Sequence, residues 1–264
     1  MGLLHVILAA TAMTAPPPVN APLPANATGY VDALTEVRPL ARAAASEWDG
    51  NRPVPEPLEL YALYGQRLSN ELADDRALRR KVIPRLPERE RGAVRDEAQA
   101  LAGLGRLARG WPVQAKRAYT TGPAESAVKL WRYYGAAKRR FGVARSTLAA
   151  VNLLESSLNR LRSNSVAGAQ GPMQFIPSTW AAYGLGGDIR DPRDAILGAA
   201  NYLKANGAPR DNKNALLRYN PSSLYVDAIL RYERRMRSFA AFRFYYARSL
   251  FVRGKNGRVR LTGP

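Results

Sequence analysis

The chain has 264 residues, of which 46% are hydrophobic, so it can bury a sizeable core and is not a disordered chain. It has no cysteine and one histidine, His5, which excludes disulfide frameworks, Ser-His-Asp triads and His-rich metal sites and leaves acid-base chemistry to carboxylates, tyrosines or lysines. The net charge of +19 favours an anionic partner such as a nucleic acid, a membrane surface or an acidic wall polymer.

Residues 1–29 are interpreted as a signal peptide followed by a proline-rich linker. The apolar run in GLLHVILAATAMTA has secretory length and ends in small residues, and PPPVNAPLPANAT is typical of an extended linker. No Lys or Arg precedes the run, so a short uncleaved anchor is the alternative to cleavage near Ala15. Both interpretations predict a secreted or cell-envelope-associated protein.

Residues 30–121 are predicted to form an N-terminal helical region. Apolar residues such as Leu68 and Leu72 recur there at helical spacing, and no strand pattern competes. Charged neighbours four residues apart between 74 and 97 predict an exposed helical pair, interrupted near Pro84 and Pro87.

Residues 122–240 carry the clearest helix signals. Asp191 can cap a helix, Pro192 suits its first turn, and Gly207 can end it. Another helix is expected to begin at Ser222 or Ser223, after RYNP. The fold class is therefore mostly α.

Residues 241–264 form a basic tail in which Asn256-Gly257 predicts a short β-hairpin. From residue 231 onward, ten Lys or Arg residues stand against Glu233, which is a balance of +9. One hypothesis is that this charge adheres to anionic wall polymers; a solvated basic face is the alternative.

Glu155 is the candidate acid, in the stretch VNLLESSLNRLRSNSVAGAQGPMQF. At helical spacing it lies at the border of the buried stripe, between Leu158 on one side and asparagines on the other. A glutamate that is partly desolvated there would have its pKa raised from about 4.3 toward 6 or 7, where it can both give and take a proton. A structural ion pair with Arg160 or Arg162 is the alternative.

The segments after Glu155 look like parts of a ligand groove. SNSVAGAQGPMQF is a loop of small residues that lets backbone approach a ligand, and it ends with the amide Gln174 before a helix start at Pro177. Tyr219 and Asn220 follow a later helix and offer a phenol and an amide to orient sugar hydroxyls.

Four motifs in this order resemble those of bacterial lytic transglycosylases: Glu155-Ser156, GAQGPMQFIPSTW, AANYL and RYNPSSLYV. The resemblance covers roughly residues 122–238 and implies a lysozyme-like (goose-type) helical catalytic domain. The serine at position 222 departs from the pattern, because the family often has glycine there.

The resemblance further implies cleavage of the β-1,4 bond between N-acetylmuramic acid and N-acetylglucosamine in peptidoglycan, leaving a 1,6-anhydromuramoyl end. Glu155 would serve as the acid and then as the base. The residues implied to bind substrate or to form the wall of its site are Ser156, Met173, Gln174, Tyr219 and Asn220. No metal or cofactor is expected.

Two other functions stay open. A lysozyme-like hydrolase would use water and could recruit a second carboxylate from Asp188, Asp191, Asp194 or Asp211, although Asp191 and Asp194 suit a helix start. A non-catalytic wall-binding module would keep the groove without needing the acid. We expect peptidoglycan glycan strands as the partner, no nucleic acid, and a monomer.

Overall fold

The computed structural model describes residues 15–109, 119–254 and 257–263. This part of the chain is mostly α-helical, with one two-stranded antiparallel sheet, as predicted. The elements in chain order are α1 Ala27–Glu47, α2 Glu56–Asp74, α3 Arg76–Val82, a 3-10 turn Ile83–Arg85, α4 Glu88–Ala108, α5 Ala127–Phe141, α6 Arg145–Ser156, α7 Pro177–Tyr183, α8 Pro192–Ala205, α9 Asn212–Tyr219, α10 Ser223–Arg235, α11 Phe239–Tyr246, β1 Leu250–Gly254 and β2 Gly257–Thr262. Within these ranges no helix has both the length and the apolar character needed to cross a bilayer. The predicted signal peptide, including His5, lies outside the described residues.

The predicted helix starts are confirmed. The Asp191 carboxylate accepts the backbone N–H of Asp194 at 2.9 Å and caps α8, whose first residue is proline. Ser222 caps α10 in the same way, accepting the N–H of Tyr225 at 3.4 Å. Because each cap satisfies a helix N–H that has no intrahelical partner, these short-range signals could be read from sequence.

Helix α4 joins the N-terminal helices to the rest of the molecule, since it packs against α2 on one side and α10 on the other. A smaller apolar cluster, with Leu34, Leu68 and Val94 at its centre, lies among α1, α2 and α4. The main core extends across α5, α6, α8, α10 and α11. The expectation of an exposed helical pair between 74 and 97 is therefore wrong for α4.

Three acidic residues of α4, Glu90, Asp96 and Glu97, are buried because arginines from distant elements neutralise them. Glu97 is 2% exposed and accepts two hydrogen bonds from Arg38 of α1, at 3.0 and 2.9 Å. Tyr245 of α11 donates to the same carboxylate at 2.8 Å, and Arg248 lies 3.6 Å from it. The cluster pulls the pKa of Glu97 down to about 2, against the opposing effect of its burial. It ties the N-terminal helices to the end of the chain.

The C-terminal segment is built into the core. The predicted boundary between residues 240 and 241 falls inside α11, whose Phe242 is fully buried and whose Tyr246 packs against Trp48 with ring centroids 5.4 Å apart. The predicted hairpin is confirmed, with β1 and β2 paired from Leu250–Thr262 to Gly254–Gly257. Asn256 lies outside the described residues.

Carboxylates of the N-terminal helices hold several arginines of this basic segment. Arg258 of β2 is ion-paired with Asp74 of α2, and Arg260 lies 2.9 Å from Glu59. Together with Arg248 at Glu97, these pairs give the tail charge a role within the fold. Adhesion to wall polymers stays a prediction.

Removing residues 241–264 is expected to unfold the protein, because deleting even one buried aromatic side chain costs about 3–5 kcal/mol and total stability is typically about 5–15 kcal/mol. Circular dichroism of this truncation should show no cooperative melt. A chain ending after residue 249 keeps α11 and Arg248 and should still melt cooperatively. A cooperative melt of the shorter chain would show that α11 is dispensable.

Candidate active site

Glu155 is the penultimate residue of α6, at the point where the chain reverses. The next residues Ser157, Leu158 and Asn159 all have positive φ, from 51° to 70°. Three consecutive non-glycine residues in this left-handed region are uncommon, and such strain often accompanies functional sites. The turn leaves Glu155 partly buried at the edge of a cavity of about 700 Å³, while the apolar face of α6 stays in the core.

Burial raises the pKa of Glu155 to about 7, and a hydrogen bond from Tyr225 opposes the rise. The Tyr225 hydroxyl donates to Glu155 Oε1 at 2.5 Å and stabilises the charged carboxylate. The pKa rise predicted from the border position of Glu155 is confirmed. A carboxyl with this pKa is protonated in about half of the molecules at neutral pH, so it can act as an acid or a base.

The alternative of a structural ion pair is wrong. Arg160 donates to the backbone carbonyls of Ser157 and Tyr246, and Arg162 donates to that of Pro123. Within the described residues, Glu155 forms no salt bridge. Its pKa is therefore set by burial and by one phenol.

Ser156 fixes the small-residue loop to the end of α6. Its hydroxyl donates to the carbonyl of Pro172 at 2.6 Å and accepts the N–H of Asn159 at 2.8 Å. The side chain is 1% exposed. Direct contact between Ser156 and substrate stays a prediction, while its position makes it a support for the loop.

The loop itself folds as a tight turn closed by a bridge between Gln170 and Phe175. Gly171 has φ of 73°, and a Cβ there would collide with the carbonyl oxygen of Ile189. Gln174 also has positive φ, and its side-chain amide donates to the Gly171 carbonyl at 3.0 Å. Met173 is fully buried, and its backbone carbonyl faces Tyr219 of the last motif, RYNPSSLYV.

Tyr219 supports this loop from α9. Its hydroxyl donates to the Met173 carbonyl at 2.5 Å, and its ring lies 5.9 Å from that of Phe175 between centroids. Burial first, and then the nearby charge of Glu155, raise the pKa of Tyr219 well above its usual range. Asn220 follows at the end of α9, partly buried. The predicted proximity of Tyr219 to Glu155 is confirmed, but the phenol that contacts the carboxylate is that of Tyr225.

Sequence reasoning missed Tyr225. It occurs in the quoted motif RYNPSSLYV, but its helical spacing to Ile229 and Tyr232 on α10 marks it as a core residue. It is indeed 4% exposed, with only its hydroxyl reaching the acid. One signal was available in the sequence. Tyr225 comes three residues after the predicted cap Ser222, so its long side chain lies in the first turn of α10, on the face that packs against α6.

The cavity beside Glu155 extends away from these motifs. It is lined by residues on α2, α4 and α6 and by the C-terminal hairpin, including Leu154, Ser157 and Phe251. Gln174, Tyr219 and Asn220 do not belong to its lining. Their predicted sugar contacts stay predictions, as does that of Met173.

The four aspartates proposed as a second acid have other roles. Asp191 and Asp211 cap helices, and Asp188 and Asp194 accept backbone N–H groups of their own loop. None of them lines the cavity with Glu155. Among the described residues, no group of three or more His, Cys, Asp or Glu is arranged to hold a metal ion.

Comparison with known proteins agrees with this geometry. The family model for the transglycosylase SLT domain matches residues 132–235, from α5 to the end of α10. The chain carries a transglycosylase SLT domain. The match confirms the resemblance to lytic transglycosylases and the lysozyme-like fold, and it supports lytic transglycosylase activity on peptidoglycan. No curated protein and no solved structure gives a significant match to the chain. Glu155 and Tyr225 both lie inside the SLT domain, whereas the hairpin and helices α1 to α4 lie outside it.

Proposed function

We propose that the protein is a lytic transglycosylase that cleaves the β-1,4 bond between N-acetylmuramic acid and N-acetylglucosamine and leaves a 1,6-anhydromuramoyl end. The observation that carries the proposal is Glu155, a partly buried carboxyl with a pKa of about 7 that forms no ion pair within the described residues. A single carboxyl suffices for this reaction, because the nucleophile that attacks C1 is the C6 hydroxyl of the substrate itself.

In the first step, the protonated Glu155 carboxyl gives its proton to the glycosidic oxygen as the bond from C1 of the muramoyl residue breaks. The muramoyl N-acetyl oxygen stabilises the positive charge that develops at C1. In the second step, the Glu155 carboxylate takes the proton of the C6 hydroxyl while that oxygen bonds to C1. Glu155 is protonated again at the end, and no water is consumed.

Tyr225 acts in this scheme as a positioning residue. Its hydrogen bond holds the carboxylate in one orientation and favours the charged form that exists between the two steps. Without this hydrogen bond, Glu155 would hold its proton more tightly and would give it to the glycosidic oxygen less readily.

The Tyr225→Phe variant is expected to turn over about tenfold more slowly, with the alkaline limb of its pH profile about one unit higher than in wild type. Activity depends on protonated Glu155, so it declines as pH rises through about 7, and loss of the phenol donor raises that pKa. Tyr219→Phe is the matched control, because Tyr219 donates to Met173 and should leave the limb in place. An unchanged limb in Tyr225→Phe would remove Tyr225 from the mechanism.

The reaction type is tested by the mass of the products released from purified peptidoglycan. Anhydromuramoyl ends are lighter by one water than the reducing ends that a hydrolase leaves. Reducing ends as the main product would overturn the proposal in favour of a lysozyme-like hydrolase. No release by a folded protein would favour a wall-binding module.

We also propose that the protein acts outside the cytoplasm. The support is the apolar N-terminal run followed by small residues and a proline-rich stretch, together with a substrate that lies in the cell wall. Fractionation followed by N-terminal sequencing of the native protein tests it. A wholly cytoplasmic protein would contradict it.

A further inference from the structure

The cavity beside Glu155 is strongly cationic on the side formed by the N-terminal helices and the C-terminal segment. Its lining has two carboxylates, Asp74 and Glu155. Against these it has six arginines and no lysine: Arg76, Arg79, Arg106, Arg109, Arg248 and Arg258. Only Arg258 is paired with a carboxylate of the lining, Asp74. The space next to the acid is therefore suited to a negatively charged group.

A second recess of about 490 Å³ continues the same surface. Arg76, Arg79 and Arg106 line both spaces, and the second also has Arg80 and Arg231. Arg231 is neutralised by Asp96 and Asp227. Arg76, Arg80 and Arg106 form no ion pair within the described residues. The cationic surface thus extends from the Glu155 cavity along α3 and α4.

Arg248 also lines the Glu155 cavity, but it serves the fold. It is 5% exposed, lies 3.6 Å from the buried carboxylate of Glu97 and interacts with the Tyr232 hydroxyl. The arginines available to a ligand are therefore those of α3 and α4, of which Arg76 and Arg106 are exposed.

The arginines of α3 and α4 also repel one another. Burial first, and then the charges of Arg76 and Arg106, lower the pKa of Arg79. Arg79 is held in place by the backbone carbonyls of Leu72 and Ala73, at 2.6 and 3.1 Å. Asp75 opposes this repulsion only in part. Like charges held together destabilise the protein alone and favour binding of an anion.

We propose that the cationic wall formed by Arg76, Arg79 and Arg106 is a subsite for the carboxylate groups of the stem peptides carried by the glycan strand. The proposal rests on the proposed function, since a strand held at Glu155 brings its muramoyl peptides beside this wall. Guanidinium forks match carboxylates in a bidentate manner, and the wall lies in the same cavity as the acid. It lies outside the SLT match, so the SLT domain alone does not supply this subsite.

The test compares two substrates, glycan strands with intact stem peptides and the same strands after enzymatic removal of the peptides. In the variant Arg76→Gln/Arg106→Gln, kcat/KM on peptide-bearing strands should fall at least about tenfold, because hydrogen bonds to charged groups are strong. Activity on peptide-free strands should change little. The matched control is Arg132→Gln/Arg139→Gln, two exposed arginines of α5 that line neither cavity.

Equal loss on both substrates, or no loss, would overturn the subsite. A third arm uses peptide-bearing walls with and without their phosphate polymers; a loss that depends on the polymers would assign the arginines to phosphate instead. Calorimetric titration of the free stem peptide gives a readout independent of turnover. Binding that weakens in the variant supports the subsite even if the proposed reaction is wrong, and absence of binding to wild type counts against it.

Discussion

Replacing Glu155 with glutamine will reduce release of muropeptides from purified peptidoglycan by at least about 10² to 10⁴, while leaving the fold intact. General acid-base catalysis contributes about this factor for each use of the group, and Glu155 is used twice. Glutamine keeps the size of the side chain and can still accept from Tyr225, but it cannot deliver a proton. Turnover near the wild-type rate would show that the acid lies elsewhere.

The same variant has a pH-dependent stability that separates function from structure. The pKa of Glu155 is raised from 4.5 to about 7 in the folded state, so the penalty on folding is absent below 4.5, grows as pH rises from 4.5 to 7 and is complete above 7. Glutamine removes this penalty, which is at most about 3 kcal/mol. The variant should therefore melt at or above the wild-type temperature at pH 8 and close to it at pH 4. Glu47→Gln, at an exposed position of α1, is the matched control.

Glu97→Gln is expected to have the largest effect on stability among the single substitutions, about 3–5 kcal/mol, because it removes the charge nearest to the buried Arg248 and leaves Arg38 with Glu90 alone. The pKa of Glu97 is depressed to about 2, so its stabilising contribution is full above about 4.5 and is lost as pH falls toward 2. Denaturant unfolding of wild type should show this loss, and the variant should lack it.

Glu125→Gln is the control for Glu97. Glu125 is 30% exposed and pairs with Lys129 at 3.2 Å on α5, so its replacement should cost less than about 1 kcal/mol. Similar costs for the two variants would mean that the buried cluster does not join the N-terminal helices to α11.

Short-range features were predictable from sequence because each depends on a few neighbouring residues. The caps at Asp191 and Ser222 and the C-terminal hairpin are of this kind. Glu155 was predictable for a related reason, since its border position on one helix already implies partial burial. The motif order then gave the family without knowledge of any contact.

Features that depend on distant partners were not predictable. Helix α4 looked exposed because its periodicity shows charged residues but not the arginine 59 positions away that neutralises Glu97. Tyr225 looked like a core residue because spacing gives the face of a helix but not what the hydroxyl meets, 70 positions away. The tail looked like a free basic segment for the same reason.

The most direct test of the central claim is digestion of purified peptidoglycan by the wild-type protein in water enriched in oxygen-18, followed by mass spectrometry of the muramoyl ends. Because the C6 hydroxyl of the substrate is the nucleophile in the proposed reaction, the product should be an anhydromuramoyl end without the label. A reducing end that carries one oxygen-18 atom would contradict this account and would show that Glu155 activates water.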